Sequence, residues 1–146
     1  INSVAKTVEG RAVDRRNWHV TLAYIGQYPE RQIPDLLARA GEITVEPFQL
    51  NFDRIEFWPR PNVASKVGAT VPSELQQLIG HLHVLMQDFG LTPEDRTYRP
   101  HITVVRNART FPTERLTQRA ATTWSSFELI ESLPGPGEVR YRPLKQ

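Results

Sequence analysis

Apolar residues recur along this chain with two different periods, and the switches between them mark out its elements. The segment Trp18 to Gly26 is apolar almost throughout, rich in β-branched and aromatic residues and closed by glycine, which predicts a largely buried strand. From about Tyr28 or Glu30 to Ala40 the pattern turns helical, with Leu36, Leu37 and Ala40 on one side, Pro34 near the first turn and Gly41 as the stop. Phe48, Leu50 and Phe52 alternate and then slip by one to Ile55 and Phe57, as a strand with a bulge near Asp53 would. Trp58 to Asn62 reads as a turn, and Val63 to Thr70 as the return strand of a hairpin. Next comes the clearest helix. Ser73 is its expected N-cap, Leu75, Leu78, Ile79, Leu82, Leu85, Met86 and Phe89 recur at helical spacing, and Gly90 ends it.

His101 to Val105 predicts a second buried strand, and Asn107 to Thr123 a polar linker. Strands are expected at Trp124–Ser132 and Val139–Leu144, joined by the Pro- and Gly-containing turn Leu133–Gly137. At the start, residues 1–10 suggest a short helix, followed by a polar stretch to Asn17. Strands and helices do not alternate strictly, so the fold class is α+β.

Composition narrows the chemistry. A chain of 146 residues fits one domain able to bury a sizeable core without crosslinks. There is no cysteine, which excludes disulfides, thiol nucleophiles and thiolate metal sites and fits a reducing cytoplasm. No apolar run approaches the roughly 20 residues of a membrane span, and no signal-peptide pattern opens the sequence, so a soluble protein is expected. The net charge of +2 is uneven: from Arg96 onward nine basic residues face four acidic ones. Such an excess suits an anionic ligand such as phosphate or RNA, although scattered surface arginines would give the same count.

Against this background one short pattern occurs twice, as His19-Val20-Thr21-Leu22 and His101-Ile102-Thr103-Val104. On a strand, residues i and i+2 share a face, so each copy sets an imidazole beside a hydroxyl with an apolar residue turned inward. Phosphodiester hydrolysis without a metal needs one group to deprotonate water and another to protonate the leaving oxygen near neutral pH, and histidine suits both tasks. The threonine hydroxyls can hold nonbridging phosphate oxygens. Two strands lying side by side, both histidines facing one cleft, are therefore expected. The remaining pair, His81 and His83, lies inside the long helix without a threonine; residues i and i+2 diverge there, which makes a poor metal site.

At these residues the sequence resembles the two-histidine phosphoesterase superfamily, in particular the bacterial and archaeal RNA 2′,3′-cyclic phosphodiesterases, also called 2′-5′ RNA ligases. NWHVTLAYIGQ is similar to the first family motif, YRPHITVVRNA to the second and FELIESLPGPGEVRYRPLK to the closing hairpin, so the resemblance runs from about Arg11 onward. It implies two pseudo-symmetric lobes of antiparallel sheet with outer helices and an active-site cleft between them, each lobe contributing one His-Thr pair within a single domain, 1–146. By this resemblance His19 is the general acid for the departing 3′ oxygen and His101 the general base for water. Thr21, Thr103 and Arg106 would bind phosphate. No cofactor and no metal are implied, and the expected partners are RNA ends or nucleotides bearing a 2′,3′-cyclic phosphate, handled by a monomer. The family's first N-terminal strand, resembling Arg-Leu-Phe-Val-Ala, has no counterpart in this sequence.

Tyr24, Phe57, Trp58 and Tyr98 are candidate platforms for a base, with core packing the plainer reading for Phe57; Arg16 and Arg99 are candidate backbone contacts. Three other readings compete: the same chemistry on a small cyclic nucleotide, a noncatalytic RNA or nucleotide-binding module, and a metal-dependent esterase.

Overall fold

The computed structural model describes residues 8–68, 70–133 and 139–144. Among the described residues seven strands and two α-helices make an α+β fold: β1 (Arg11–Ala12), α1 (Ile33–Gly41), β2 (Phe48–Trp58), β3 (Val63–Val67), α2 (Ser73–Asp88), β4 (His101–Arg106), β5 (Glu114–Trp124), β6 (Ile130–Leu133) and β7 (Arg140–Pro143). Five strands form one sheet in the order β1-β4-β3-β2-β5, and β6 pairs with β7 in a separate ribbon. The chain divides into two compact units.

The first unit comprises residues 1–21, 49–71 and 98–123. The β2–β3 hairpin pairs Arg54 with Val67 through Trp58 with Val63, and Asn62 turns it from the left-handed region at φ 65°. Its core gathers Ile55, Ala64, Val104, Val105 and Ala108, with Trp18, Phe57, Ile102, Phe111 and Leu116 packed around them. Phe57 meets Phe111 edge-on at 5.9 Å and so belongs to this core. Burying Ile55, Val104 or Val105 here stabilises the fold by about 1.5–3 kcal/mol each before entropy is counted. Gly68 is required by a close approach: a Cβ there would collide with the carbonyl oxygen of Asn51.

The second unit holds residues 22–48, 72–97 and 124–146. Its long helix α2 buries Leu75, Leu78, Ile79, Leu82, Leu85 and Met86, the stripe read from the sequence. Arg39 of α1 reaches Asp88 of α2 at 2.8 Å and lies over the Phe89 ring. His81 is exposed and His83 half-buried on the flank of α2.

Several expectations need correcting. The strand expected at Trp18–Gly26 shrinks to an isolated bridge at Val20. Asp14 caps a 3₁₀ turn over Arg15–Asn17 that lifts the chain off the sheet just before the motif. The linker Asn107–Thr123 contains β5, an edge strand whose polar sequence carries little apolar alternation. Ser73 is the first helical residue rather than the cap; Pro72 is the cap and its carbonyl accepts from the amide of Gln76. The strand expected at Trp124–Ser132 begins only at Ile130. Burial does switch parity at Asp53, from Phe48, Leu50 and Phe52 to Ile55, but the register shift that the pairing records lies between β3 and β4. The short helix expected over residues 1–10 and the turn at Leu133–Gly137 fall largely outside the described residues.

Candidate functional site

His19 to Thr21 and the whole second copy, His101 to Val104, fall in the first unit, and the bridge at Val20 and Ile102 sets them side by side. One side of β4 is taken by β3, and the other receives β1 at Val105 and Arg106 and then Val20 at Ile102. Residues 11–13 and 19–21 therefore run along one lane beside β4, interrupted by the 3₁₀ turn. Since the Val20–Ile102 bridge is antiparallel, His19 falls opposite Thr103 and Thr21 opposite His101. Directly opposed residues project from the same face, so each imidazole neighbours the hydroxyl of the other copy as well as its own.

The two histidines are held alike. Nδ1 of His19 lies 2.7 Å from the carbonyl oxygen of Asn17, and Nδ1 of His101 lies 3.0 Å from that of Arg99. A carbonyl only accepts, so in each ring Nδ1 carries the proton and donates, which makes Nε2 the nitrogen that gains and loses a proton. The same bond survives in the imidazolium form. Proton uptake at Nε2 therefore costs no reorientation.

Arg106 poses a parity problem that the sheet resolves. Counting by twos from His101 and Thr103 would turn residue 106 to the opposite face. The register slips, however: Val67 pairs with His101 and Ser65 with Thr103, whereas Ala64 pairs with Val105 and Val63 with Arg106, leaving Val104 as an extra residue. Val63, Ser65 and Val67 share one face of β3, so His101, Thr103 and Arg106 project together.

Around His101 the candidates Trp58 and Arg99 converge, joined by Glu56 and Arg54, which sequence reasoning missed. The Trp58 ring packs against the imidazole at 4.3 Å, and the Arg99 guanidinium lies over the Trp58 ring, 5.4 Å from its centroid. The Glu56 carboxylate ties these together, accepting from Trp58 Nε1 at 3.1 Å, from Arg99 at 3.1 Å and 3.2 Å and from Arg54 at 3.0 Å. Burial pushes the Glu56 carboxyl up, but the Arg54 and Trp58 hydrogen bonds and the Arg99 charge outweigh it and hold it below the usual range. The even positions Arg54, Glu56 and Trp58 share one face of β2, and that spacing was the available signal. Beside His19, the Trp18 ring has Arg15 at 5.3 Å and Lys66 at 4.6 Å from its centroid, and its indole nitrogen donates to the Val13 carbonyl. Burial, and secondarily Arg15, depresses the Lys66 ammonium.

Of the other candidates, Tyr98 donates its hydroxyl to the Thr21 carbonyl at 2.9 Å, tying the two motif segments together, and burial raises its phenol well above the ordinary value. Arg16 pairs with Asp14 and Arg99 with Glu56. Tyr24 is 74% exposed and belongs to the second unit. Among the described residues no group of three His, Asp or Glu side chains could hold a metal, and no helix is long and apolar enough to cross a membrane.

The fold and these segments thus define an α+β protein that presents two imidazoles and two hydroxyls at one sheet edge. Comparison with known proteins gives this class its family. The model described as LigT-like phosphoesterase matches residues 1–67. An RNA 2′,3′-cyclic phosphodiesterase of Escherichia coli is 32% identical over 140 residues, covering 94% of this chain and 78% of its own. One from Archaeoglobus fulgidus is 28% identical over 104 residues, or 70% of this chain, and the chain spans only 58% of that relative. The crystal structure of E. coli LigT complexed with 3′-AMP superposes with a TM-score of 0.76 at 30% identity, covering 93% of this chain and 79% of that one. The chain belongs to the LigT-like phosphoesterase family.

Proposed function

We propose that this chain hydrolyses 2′,3′-cyclic phosphates at RNA ends to 2′-phosphomonoesters, His19 and His101 supplying both proton transfers. The observation that carries this reading is the antiparallel bridge at Val20 and Ile102, which sets each histidine opposite the other copy's threonine. Neutral His101 takes a proton from water through Nε2 as the water oxygen bonds to phosphorus. The bond from phosphorus to the 3′ oxygen breaks, and that oxygen leaves with the proton of His19 Nε2. Thr21 and Thr103 donate to the nonbridging oxygens, and Arg106 offsets the charge that develops there. Run backwards, the same transfers join a cyclic phosphate to a 5′-hydroxyl end in a 2′-5′ linkage without ATP. A cysteine-free chain suits work in the cytoplasm, and a site assembled within one unit suits a monomer.

The test is turnover, in EDTA, of an oligoribonucleotide ending in a 2′,3′-cyclic phosphate. Wild type should convert it to the 2′-phosphate, and His19→Ala and His101→Ala should each lose about a hundredfold or more. RNA that binds without turning over would point instead to a binding module, and activity abolished by EDTA to a metal-dependent esterase.

A further inference from the structure

Arg11 and Arg106 are directly opposed across β1 and β4. Two like charges in that position repel, so antiparallel pairs of this kind are disfavoured unless something offsets them. Most neighbouring arginines have carboxylate partners: Arg16 has Asp14, Arg54 and Arg99 have Glu56, and Arg109 takes Glu9, only two residues from Arg11. Among the described residues no ion pair to Arg11 or Arg106 is formed. The pair is placed where an anion would find it, on the His101 and Thr103 face, because the extra residue Val104 returns Arg106 to that side and antiparallel pairing carries Arg11 with it.

Arg11 is one paired row beyond the His19–Thr103 row, about 7 Å along the strands. That is the scale of one nucleotide step along a backbone, and the reacting phosphorus, with two hydroxyls and Arg106 reaching back from the same row, does not call for a second guanidinium. From this geometry we infer that Arg11 binds a second phosphate, the internucleotide phosphate on the 5′ side of the terminal nucleotide, so that the site distinguishes an RNA end from a free cyclic mononucleotide. A guanidinium is suited to this by its paired donors, which grip two phosphate oxygens at once. The inference rests on the proposed function for the identity of the reacting group, but the placement of the arginine pair does not.

The experiment compares kcat/KM for a short oligoribonucleotide 2′,3′-cyclic phosphate with that for a nucleoside 2′,3′-cyclic monophosphate lacking a 5′-phosphate, in wild type, Arg11→Gln and Arg11→Lys. Wild type should prefer the oligomer by tenfold or more, the scale of one charge-assisted contact. Arg11→Gln should collapse the ratio toward one, and Arg11→Lys should restore part of it. The exposed Arg115 of β5 is the control for nonspecific charge, and Arg115→Gln should leave the ratio as it is. In parallel, binding of a 2′-O-methyl oligonucleotide ending in a 3′-phosphate is followed against salt; the slope of log K on log[salt] should flatten by about 0.7 in Arg11→Gln, the share of one single-strand phosphate. This second arm needs no turnover, so it separates failure of the subsite from failure of the proposed reaction. An unchanged salt slope, or a substrate ratio equal in wild type and Arg11→Gln, overturns the inference. Equal losses on both substrates overturn it as well, because they would place Arg11 at the reacting phosphate or in the fold.

Discussion

Replacing Glu56 should cost both stability and rate, and the two losses can be separated. The carboxylate accepts from one indole and two guanidinium groups, and its side chain is only 18% exposed. Hydrogen bonds to charged groups are each worth about 1.5–3 kcal/mol. Arg54 and Arg99 are 29% and 47% exposed, so both can turn to water when the acceptor is removed, and their share must be discounted. What remains is chiefly the Trp58 indole and the weakened Arg99 contact, which puts Glu56→Ala at about 2 kcal/mol, or roughly 5 °C in Tm for a chain of this size. Glu56→Gln keeps one acceptor oxygen and should lose about half as much.

The folded carboxyl is held below its ordinary 4.5, so the stability it contributes is fully present above pH 4.5 and is lost as pH falls through the lowered folded value. Wild type and Glu56→Gln should thus differ by a constant amount from pH 8 to about pH 5 and converge only in stronger acid. Kinetically, the Trp58 ring and the Arg99 carbonyl that bracket His101 lose their common anchor, and kcat should fall about tenfold with KM little altered, as expected when a reacting group is misplaced by a fraction of an ångström. Urea titrations across pH and steady-state kinetics read out both arms. Convergence of the two stability curves already near pH 6, or unchanged kcat in Glu56→Ala, would refute the account of Glu56 as the anchor of this group.

Two further outcomes follow from particular contacts. Gly68→Ala drives a methyl group into the Asn51 carbonyl and should cost about 1–3 kcal/mol in urea denaturation, whereas a Cβ at Gly80, inside α2, meets nothing within 4 Å and Gly80→Ala should raise stability by roughly 0.5–1 kcal/mol. Tyr98→Phe removes the hydrogen bond to Thr21 and should cost about 1 kcal/mol at neutral pH. Because burial raises the folded Tyr98 phenol above its unfolded value, its neutral form supports the fold below about pH 10 and loses that support as pH climbs further; the mutant's stability should fall less steeply there.

The sequence made the helices legible because burial on one side imposes a 3.6-residue period that nothing else imitates, and the apolar stripe of α2 shows it over sixteen residues. The paired motifs were legible for a different reason: the same four-residue pattern twice, in apolar surroundings, has few structural explanations. The sequence hid whatever depends on pairing. The polar edge strand β5 has no one-sided burial to advertise it, and the first motif reads as a long strand although only Val20 bridges, because backbone lifted off a sheet by a 3₁₀ turn leaves no mark on apolar content. Glu56 and Arg99 stand 43 residues apart, and only the β2–β3–β4 register brings them together.

The sharpest case is the row of charges at the end of β4. By simple alternation Arg106 belongs on the buried side with Ile102, where an unpaired guanidinium would be prohibitively costly. The sequence contains the remedy without announcing it. His101 to Arg106 carries two consecutive residues, Val104 and Val105, that are 1% and 0% exposed; a strand with alternating faces can bury both only where both faces are covered or where the pleat is broken. The strand pairing shows the break, with Val104 unopposed between Thr103 and Val105. The bulge therefore does two things at once. It keeps both valines in the core and turns Arg106, together with Arg11 opposite it, to the face of the histidines, so one inserted residue resolves a stability problem and sets both arginines where the proposed phosphate contacts require them.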